Sequence, residues 1–475
     1  MLNLISSTLQ SHLILQDLVP RSLTMPPYLP DEILLHIFSF LRPSLAPETF
    51  CCPREKETAT LAHLCRTSKR TQRLAQAHLY HTITEQDAEK RAPFLRTLSQ
   101  NPHLAEMVRA IDLSRTYVSS QILEEAFETA RGRLNLSDKL KTRLSNNFPS
   151  DDDDTEIVLI LSLLPNLELL ELTRYYEPDR MTPQFFRDVA ASLASTPEKQ
   201  SERMRPFSRL QEIRLRHWDT EDSAEIFEFD DTLLQTLHTL RGWAICWEIH
   251  PHVTRPPRRQ LSLKHIDLRY SLCDAEGLSN MLSRCPDLRT LRFQWGSATV
   301  GGESALNFDQ MGVALRKYAH NLEELVLDYR EDQFYQEGDF TGKIGSLREL
   351  SCLKKIALTQ NILVGGDGDD FDDDEESPES HRPPPLTLDE VLPSSLETLQ
   401  LLSSGGDDEN LDEQIYALIT GGRMKNLRKI TVERAAQFSK NIKGSGWTTW
   451  NEDGHGWGRG EWGMILAKQE NQGEN

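Results

Sequence analysis

No run of about 18 consecutive apolar residues occurs in the 475-residue sequence, so no membrane-spanning helix is expected. Cysteine is scarce as well. The seven present (Cys51, Cys52, Cys65, Cys246, Cys273, Cys285 and Cys352) are odd in number and scattered. That argues against a disulfide framework and for reduced thiols, hence a cytoplasmic or nuclear protein. Cys51, Cys52, His63 and Cys65 follow no ligand spacing usual for zinc, so no metal site is expected. Basic charge is in deficit: 53 Lys+Arg stand against 73 Asp+Glu, a formal net charge of −20. Such a chain lacks the electrostatics of a general nucleic-acid binder. Catalytic signatures are missing too. There is no GxSxG elbow, HExxH pair, phosphate loop or dinucleotide fingerprint in a fitting context, so neither an enzyme nor a cofactor is expected.

What is present begins after a leader. Residues 1–24 are moderately apolar, but their first basic residue is Arg21 and Ser, Gln, His and Asp interrupt the run. They read as a disordered extension rather than a signal peptide, with Met25 an alternative start. Residues 28–41, YLPDEILLHIFSFL, then carry a helical pattern. Pro30 suits a helix start, and Asp31 and Glu32 place negative charge at the positive end of the helix dipole. Ile33, Ile37, Phe38 and Leu41 form a stripe, while Leu34, Leu35 and Phe40 add apolar surface outside it. A helix this apolar all round needs cover on more than one side. Residues 60–83 read as two further short helices folding back against the first, with Leu61, Leu64, Cys65 and Ser68 in a narrow stripe and Leu74, Ala75 and Leu79 continuing one side.

Taken together, Leu29-Pro30-x-Glu32-Ile33-Leu34-x-x-Ile37-Phe38-x-Phe40-Leu41, Leu64-Cys65-x-x-Ser68-Lys69 and Leu74-Ala75 to Leu79-Tyr80 resemble the F-box family over about 55 residues. The departures are a long insert between Leu41 and Thr60 and no Trp after Ser68-Lys69. The resemblance implies a helical module at 25–85 that docks on the Skp adaptor of a cullin-based ubiquitin ligase. It assigns Leu29, Pro30, Ile33, Leu34, Ile37, Phe38 and Leu41 to that contact or to bracing it.

Past residue 100 an apolar-x-x-apolar-x-apolar segment recurs. Its nine occurrences centre on Ile111, Leu170, Ile213, Ile266, Leu291, Leu325, Ile356, Leu399 and Ile430, spaced 25 to 59 residues apart. The last two apolar positions alternate as one face of a strand does, and helical stretches precede several of them. One such unit cannot bury its apolar face alone, whereas a stack shares a core. The array at 100–435 resembles the degenerate leucine-rich repeats that follow many fungal F-boxes. The expected fold class is therefore α/β, a small N-terminal helical F-box followed by an irregular leucine-rich-repeat solenoid of short parallel strands and helices.

Twelve acidic residues cluster in Asp151–Asp154 and Asp367–Glu376, leaving −8 for the remainder. They read as solvated acidic loops at 151–154 and 365–387, the second disordered by its charge and proline. A calcium loop is excluded there because Asp372 stands where glycine is required. Residues 436–475 form a Gly/Trp-rich tail. It reads either as a cap on the last repeat or as a loose peptide that binds elsewhere.

In such arrays the residue between the last two strand leucines faces the concave side, with the next residues nearby. Arg214, Arg216, Trp218, Arg269, Tyr270, Arg292, Trp295 and Tyr329 hold these places. Arginine interleaved with aromatics suits a peptide bearing acidic or phosphorylated residues. The expected function is the substrate-recognition subunit of a Skp–cullin–F-box ubiquitin ligase. The expected partners are the adaptor, through it the cullin, and an unknown protein substrate, with no nucleic acid and no membrane. The alternative is a repeat scaffold acting outside the ubiquitin pathway.

Overall fold

The computed structural model describes residues 29–43, 45, 55–83, 88–113, 120–132, 134, 136–147, 153–173, 181–194, 207–217, 237–245, 260–296, 306–329, 340–359, 362–363, 386–402, 411–433, 440–452 and 463–469. They fall into two compact units. Residues up to Pro43, with those through Leu79 that follow the insert, make the first; Leu45 and everything from Tyr80 onward belong to the second.

In the first unit a helix spans Asp31–Ser39, with Pro30 at the N-cap, where its missing N–H costs no hydrogen bond. Arg70 Nη2 lies 2.6 Å from Asp31 Oδ1, and Arg73 pairs with the other carboxylate oxygen. Both pairs stay partly solvated, so they fix geometry more than they stabilise. Two helices follow, Glu55–Thr67 and Lys69–Leu79. Ser68 separates them, and its Oγ accepts the Thr71 amide at 3.1 Å, capping the second. Phe38, Leu61, Leu74 and Ala75 are buried between the helices, ringed by Leu34, Leu41, Leu64, Cys65 and Leu79. Burying Phe38 contributes about 1.5–3 kcal/mol, a large share for so small a unit.

The second unit is built on strands β1 (Thr82–Ile83), β2 (Ala110–Leu113), β3 (Leu169–Thr173), β4 (Glu212–Arg216), β5 (Thr239–Trp243), β6 (His265–Ser271), β7 (Thr290–Trp295), β8 (Leu306–Asn307), β9 (Glu324–Asp328), β10 (Phe340–Thr341), β11 (Lys355–Thr359), β12 (Thr398–Leu402), β13 (Lys429–Glu433), β14 (Trp447–Glu452) and β15 (Gly463–Lys468). Thirteen of them form one sheet in the order β1-β2-β3-β4-β5-β6-β7-β9-β11-β12-β13-β15-β14, while β8 and β10 pair separately. Each strand from β1 to β13 pairs parallel with its neighbour, in a register that aligns Ile111, Leu170, Ile213, Leu240, Ile266, Leu291, Leu325, Ile356, Leu399 and Ile430. A parallel neighbour cannot be reached through a tight hairpin, so the chain crosses back between strands, often as a helix. Two of these helices, Ala275–Arg284 and Phe308–Tyr318, are capped by Asp274 and Asn307, whose side chains accept from the Gly277 and Gln310 amides. Leu278, Met281, Leu282, Met311 and Leu315 from them enter the same core as the aligned strand leucines.

Two features depart from the sequence reading, and a third chooses between alternatives it left open. First, β5 is a further repeat, and it divides the long gap between Ile213 and Ile266. Its signal is Leu237-x-x-Leu240-x-Gly242, where glycine replaces the last leucine because a Cβ there would lie 2.6 Å from Leu268 Cδ2. Second, Asp153 and Asp154 open a helix, Asp153–Leu163, rather than extending a loop. Asp151, Asp152 and most of the acidic stretch 365–387 lie outside the described residues. Third, the tail turns back on itself: β14 and β15 form an antiparallel pair, and β15 adds antiparallel to β13. That pairing occupies the last parallel edge, which would otherwise present open backbone groups, while Trp447 is buried in the core.

Restoring the repeat leucine should therefore harm the protein. Gly242→Leu is expected to destabilise the array by about 1–3 kcal/mol, as overpacking does, read as a lower urea midpoint at unchanged slope.

Candidate functional site

The helix Asp31–Ser39 divides its apolar residues between two sides. Successive helical residues turn by about 100°, so Ile37 and Phe38 cannot share one face. Phe38 is 4% exposed and faces the unit's core with Leu34 and Leu41. Leu29, Ile33 and Ile37 keep 43%, 46% and 41% of their surface exposed, and Pro30 is exposed beside them. The seven residues singled out in the sequence thus separate into an outer set and a bracing set. Phe40 was missed. At 67% exposure it is the most exposed large apolar side chain among the described residues, and it continues the line 29, 33, 37 at helical spacing. Leu35, 37% exposed, adds apolar surface to the same helix. A contiguous apolar strip of this kind on a short helix marks a contact surface.

In the second unit the sheet face opposite the buried leucines carries paired charge. Register places Asp112, Glu171, Arg214, Arg241, Asp267 and Arg292 side by side across β2 to β7. Arg216 Nη2 lies 2.5 Å from Glu171 Oε1, and Arg214 Nη1 3.7 Å from its Oε2. Glu212 Oε1 accepts from both Arg214 Nε and Arg241 Nε, at 2.7 and 3.0 Å. Asp267 then bridges Arg241 and Arg269, each at 3.2 Å. Farther on, Arg292 Nη2 meets Glu324 Oε1 at 2.7 Å. Arg214 also donates to the Leu45 carbonyl oxygen at 2.8 Å. The guanidiniums are therefore committed to carboxylates of the chain itself. An acidic ligand has to displace a formed, partly desolvated pair and leave a carboxylate without its partner, which is costly.

The aromatics proposed beside them divide likewise. Trp295 and Tyr329, each 2% exposed, are core residues, contrary to the sequence reading. Trp295 stands two positions after Phe293 and Tyr329 two after Leu327, so strand alternation turns both inward. Trp295 Nε1 donates to the Cys273 carbonyl oxygen at 3.0 Å, and Tyr329 stacks edge-on against Phe308. Tyr270 is half-buried, 4.3 Å from the Trp243 ring. It sits in a bulge with φ of 48°, where β6 gains one residue on β7 between Leu268 and Ser271. Gly296 lets this pass: a Cβ there would lie 2.4 Å from the Tyr270 carbonyl oxygen. Trp218 lies outside the described residues.

Among the described residues no group of three His, Cys, Asp or Glu side chains is placed to hold a metal, and no helix is long and apolar enough to cross a membrane. Burial pushes the Cys285 thiol up to about 12, which leaves it protonated and a poor nucleophile.

Burial, with Asp112 beside it, raises the Glu171 carboxyl above its ordinary 4.5 against the opposing pull of Arg216 and Arg214. A raised carboxyl holds its proton more tightly when folded. Its contribution to stability is fully present below pH 4.5 and is lost as the pH rises through the raised value. In urea midpoints measured against pH, the natural chain should lose stability relative to Glu171→Gln over that rise; a flat difference would remove the coupling.

Residues 27–86 match the F-box-like family model, and residues 143–426, more than half of the chain, match the model of the leucine-rich repeat domain. Comparison with the curated proteins finds no match. With ten aligned parallel strands carrying the repeat pattern behind a three-helix unit, the chain belongs to the leucine-rich repeat domain family, its repeats preceded by an F-box-like domain.

Proposed function

We propose that this chain is the substrate-recognition subunit of a Skp–cullin–F-box ubiquitin ligase, of the fungal type its irregular repeats resemble. The observation that carries the reading is the exposed apolar line Leu29, Ile33, Ile37 and Phe40 on a helix whose other side forms the core of the F-box-like domain. Water-exposed leucine, isoleucine and phenylalanine in one line gain free energy only when a partner covers them, about 25 cal/mol per Å² of apolar surface. The Skp adaptor is that partner, with Leu29, Pro30, Ile33, Ile37 and Phe40 in contact and Leu34, Phe38 and Leu41 bracing them from inside. The adaptor links the chain to the cullin, and the repeat array holds a protein substrate.

In this role the chain performs no chemistry. An F-box and repeat architecture is typical of non-catalytic adaptors, and the contribution is proximity: a tethered substrate meets the ubiquitin-bearing enzyme at high effective concentration. The work takes place in cytoplasm or nucleus, without cofactor, nucleic acid or membrane.

Copurification with the Skp adaptor tests the proposal. Ile33→Ala/Ile37→Ala, both at exposed positions, should weaken adaptor binding by tenfold or more, as the loss of two buried apolar anchors does, with an unchanged circular dichroism melt. Phe38→Ala should lower that melt, since it removes the centre of the small core. A well-folded natural chain that retains no adaptor would sink the ligase reading in favour of a scaffold.

A further inference from the structure

The face opposite the buried leucines changes character between β7 and β9. Its central file is charged from Asp112 to Arg292, and the register then continues it through Val326, Ala357, Gln400, Thr431, Ile465 and Trp450. No residue in that second half of the file carries charge; Glu324, Asp328 and Glu433 flank it on the same face, where Arg292, Gln294 and Gln400 donate to them. Val326 and Ala357 form a floor, Gln400 and Thr431 are half-buried, and Trp450 stands 46% exposed at the end. A depression in the sheet lies where the two halves meet, lined mostly from β6 and β7, Arg269 and Arg292 among them, with Val326, Asp328 and Leu402 at its far side. Along the same strands Lys355 and Lys429 are exposed. Among the described residues neither lysine has a carboxylate within ion-pair distance, whereas the arginines of the first half are neutralised by their neighbours.

We propose that the half of this face with an uncharged central file, rather than the arginine half, receives the substrate. The ligand is an extended peptide segment that sets apolar side chains against Val326 and Trp450 and one carboxylate between Lys355 and Lys429. The inference rests on the reading of the chain as a substrate-recognition subunit. Five strand spacings separate Val326 from Trp450, about 24 Å, the length of about seven extended residues. Lys355 and Lys429 lie two spacings apart, about 10 Å. Their flexible side chains reach a single acid placed over Thr398 between them. Trp450 supplies the large rigid contact that anchors interfaces, and the lysines select by charge. Among the described residues neither lysine gives up an ion pair on binding, in contrast to the arginine ladder.

The test uses the immobilised full chain and two pools of synthetic peptides about nine residues long, randomised over Leu, Ile, Val, Phe and Ala. One pool carries a central Asp and the other a central Lys, and retained peptides are quantified by mass spectrometry. The Asp pool should be retained about tenfold better, and Trp450→Ala should lower its retention by a similar factor. Lys429→Glu should reverse the preference between pools. Both substitutions lie at exposed positions, and an unchanged melt confirms the fold of each variant. Equal retention of the two pools, retention indifferent to both substitutions, or no retention by the folded chain would each overturn the proposal. Adaptor copurification from the same preparations separates the outcomes: if it persists while the peptide test fails, only this assignment falls.

Discussion

The second unit depends on one interaction, the in-register parallel ladder that runs from β1 to β13. Because every strand pairs at the same register, each leucine of the repeat lies beside its equivalents, and a continuous apolar core results although no single repeat could bury its own. The same register acts on the opposite face. It brings Glu171 beside Arg214, and Arg241 beside Asp267, so the paired charges follow from strand alignment. It also tolerates Gly242 in a leucine position, where Leu268 occupies the space. The antiparallel addition of β15 ends the ladder; without it the backbone of β13 would stand open along one edge.

The F-box-like domain works under a different constraint. Three short helices close over four buried side chains, so little apolar surface is available to hold the unit together. Spending Leu29, Ile33, Ile37 and Phe40 on an outward face leaves Phe38 as the principal internal contact of the first helix. Recognition and stability thus compete for residues on one helix. The competition is resolved by rotation about the helix axis, neighbouring residues serving opposite sides.

Much of this was legible in residue order. Nine of the ten aligned repeat strands carry the apolar pattern openly, and the F-box motif shows its proline start and acidic first turn without any structure. The tenth, β5, was hidden because glycine stands at its last leucine position. Trp295 and Tyr329 were misplaced for a different reason. They come just after the concave-facing residues in sequence, but they also stand two positions after Phe293 and Leu327, and strand alternation turns them inward. The tail's two alternatives were open in the sequence, and its antiparallel pairing with β13 selects the cap.

The sequence by itself determined which residues are apolar, at what period they recur, and hence the element types and their order. It also determined that net charge is negative and that no catalytic motif is present. Only the tertiary structure decided which of those groups remain available. Arg214, Arg269 and Arg292 read as free cations in one dimension, and their acids, Glu212, Asp267 and Glu324, lie up to 32 residues away along the chain. Ile37 and Phe38 are adjacent in sequence and opposite in role. The reason in both cases is that pairing and burial depend on distance in space, and neighbours across a sheet or around a helix are fixed only once the chain has closed on itself.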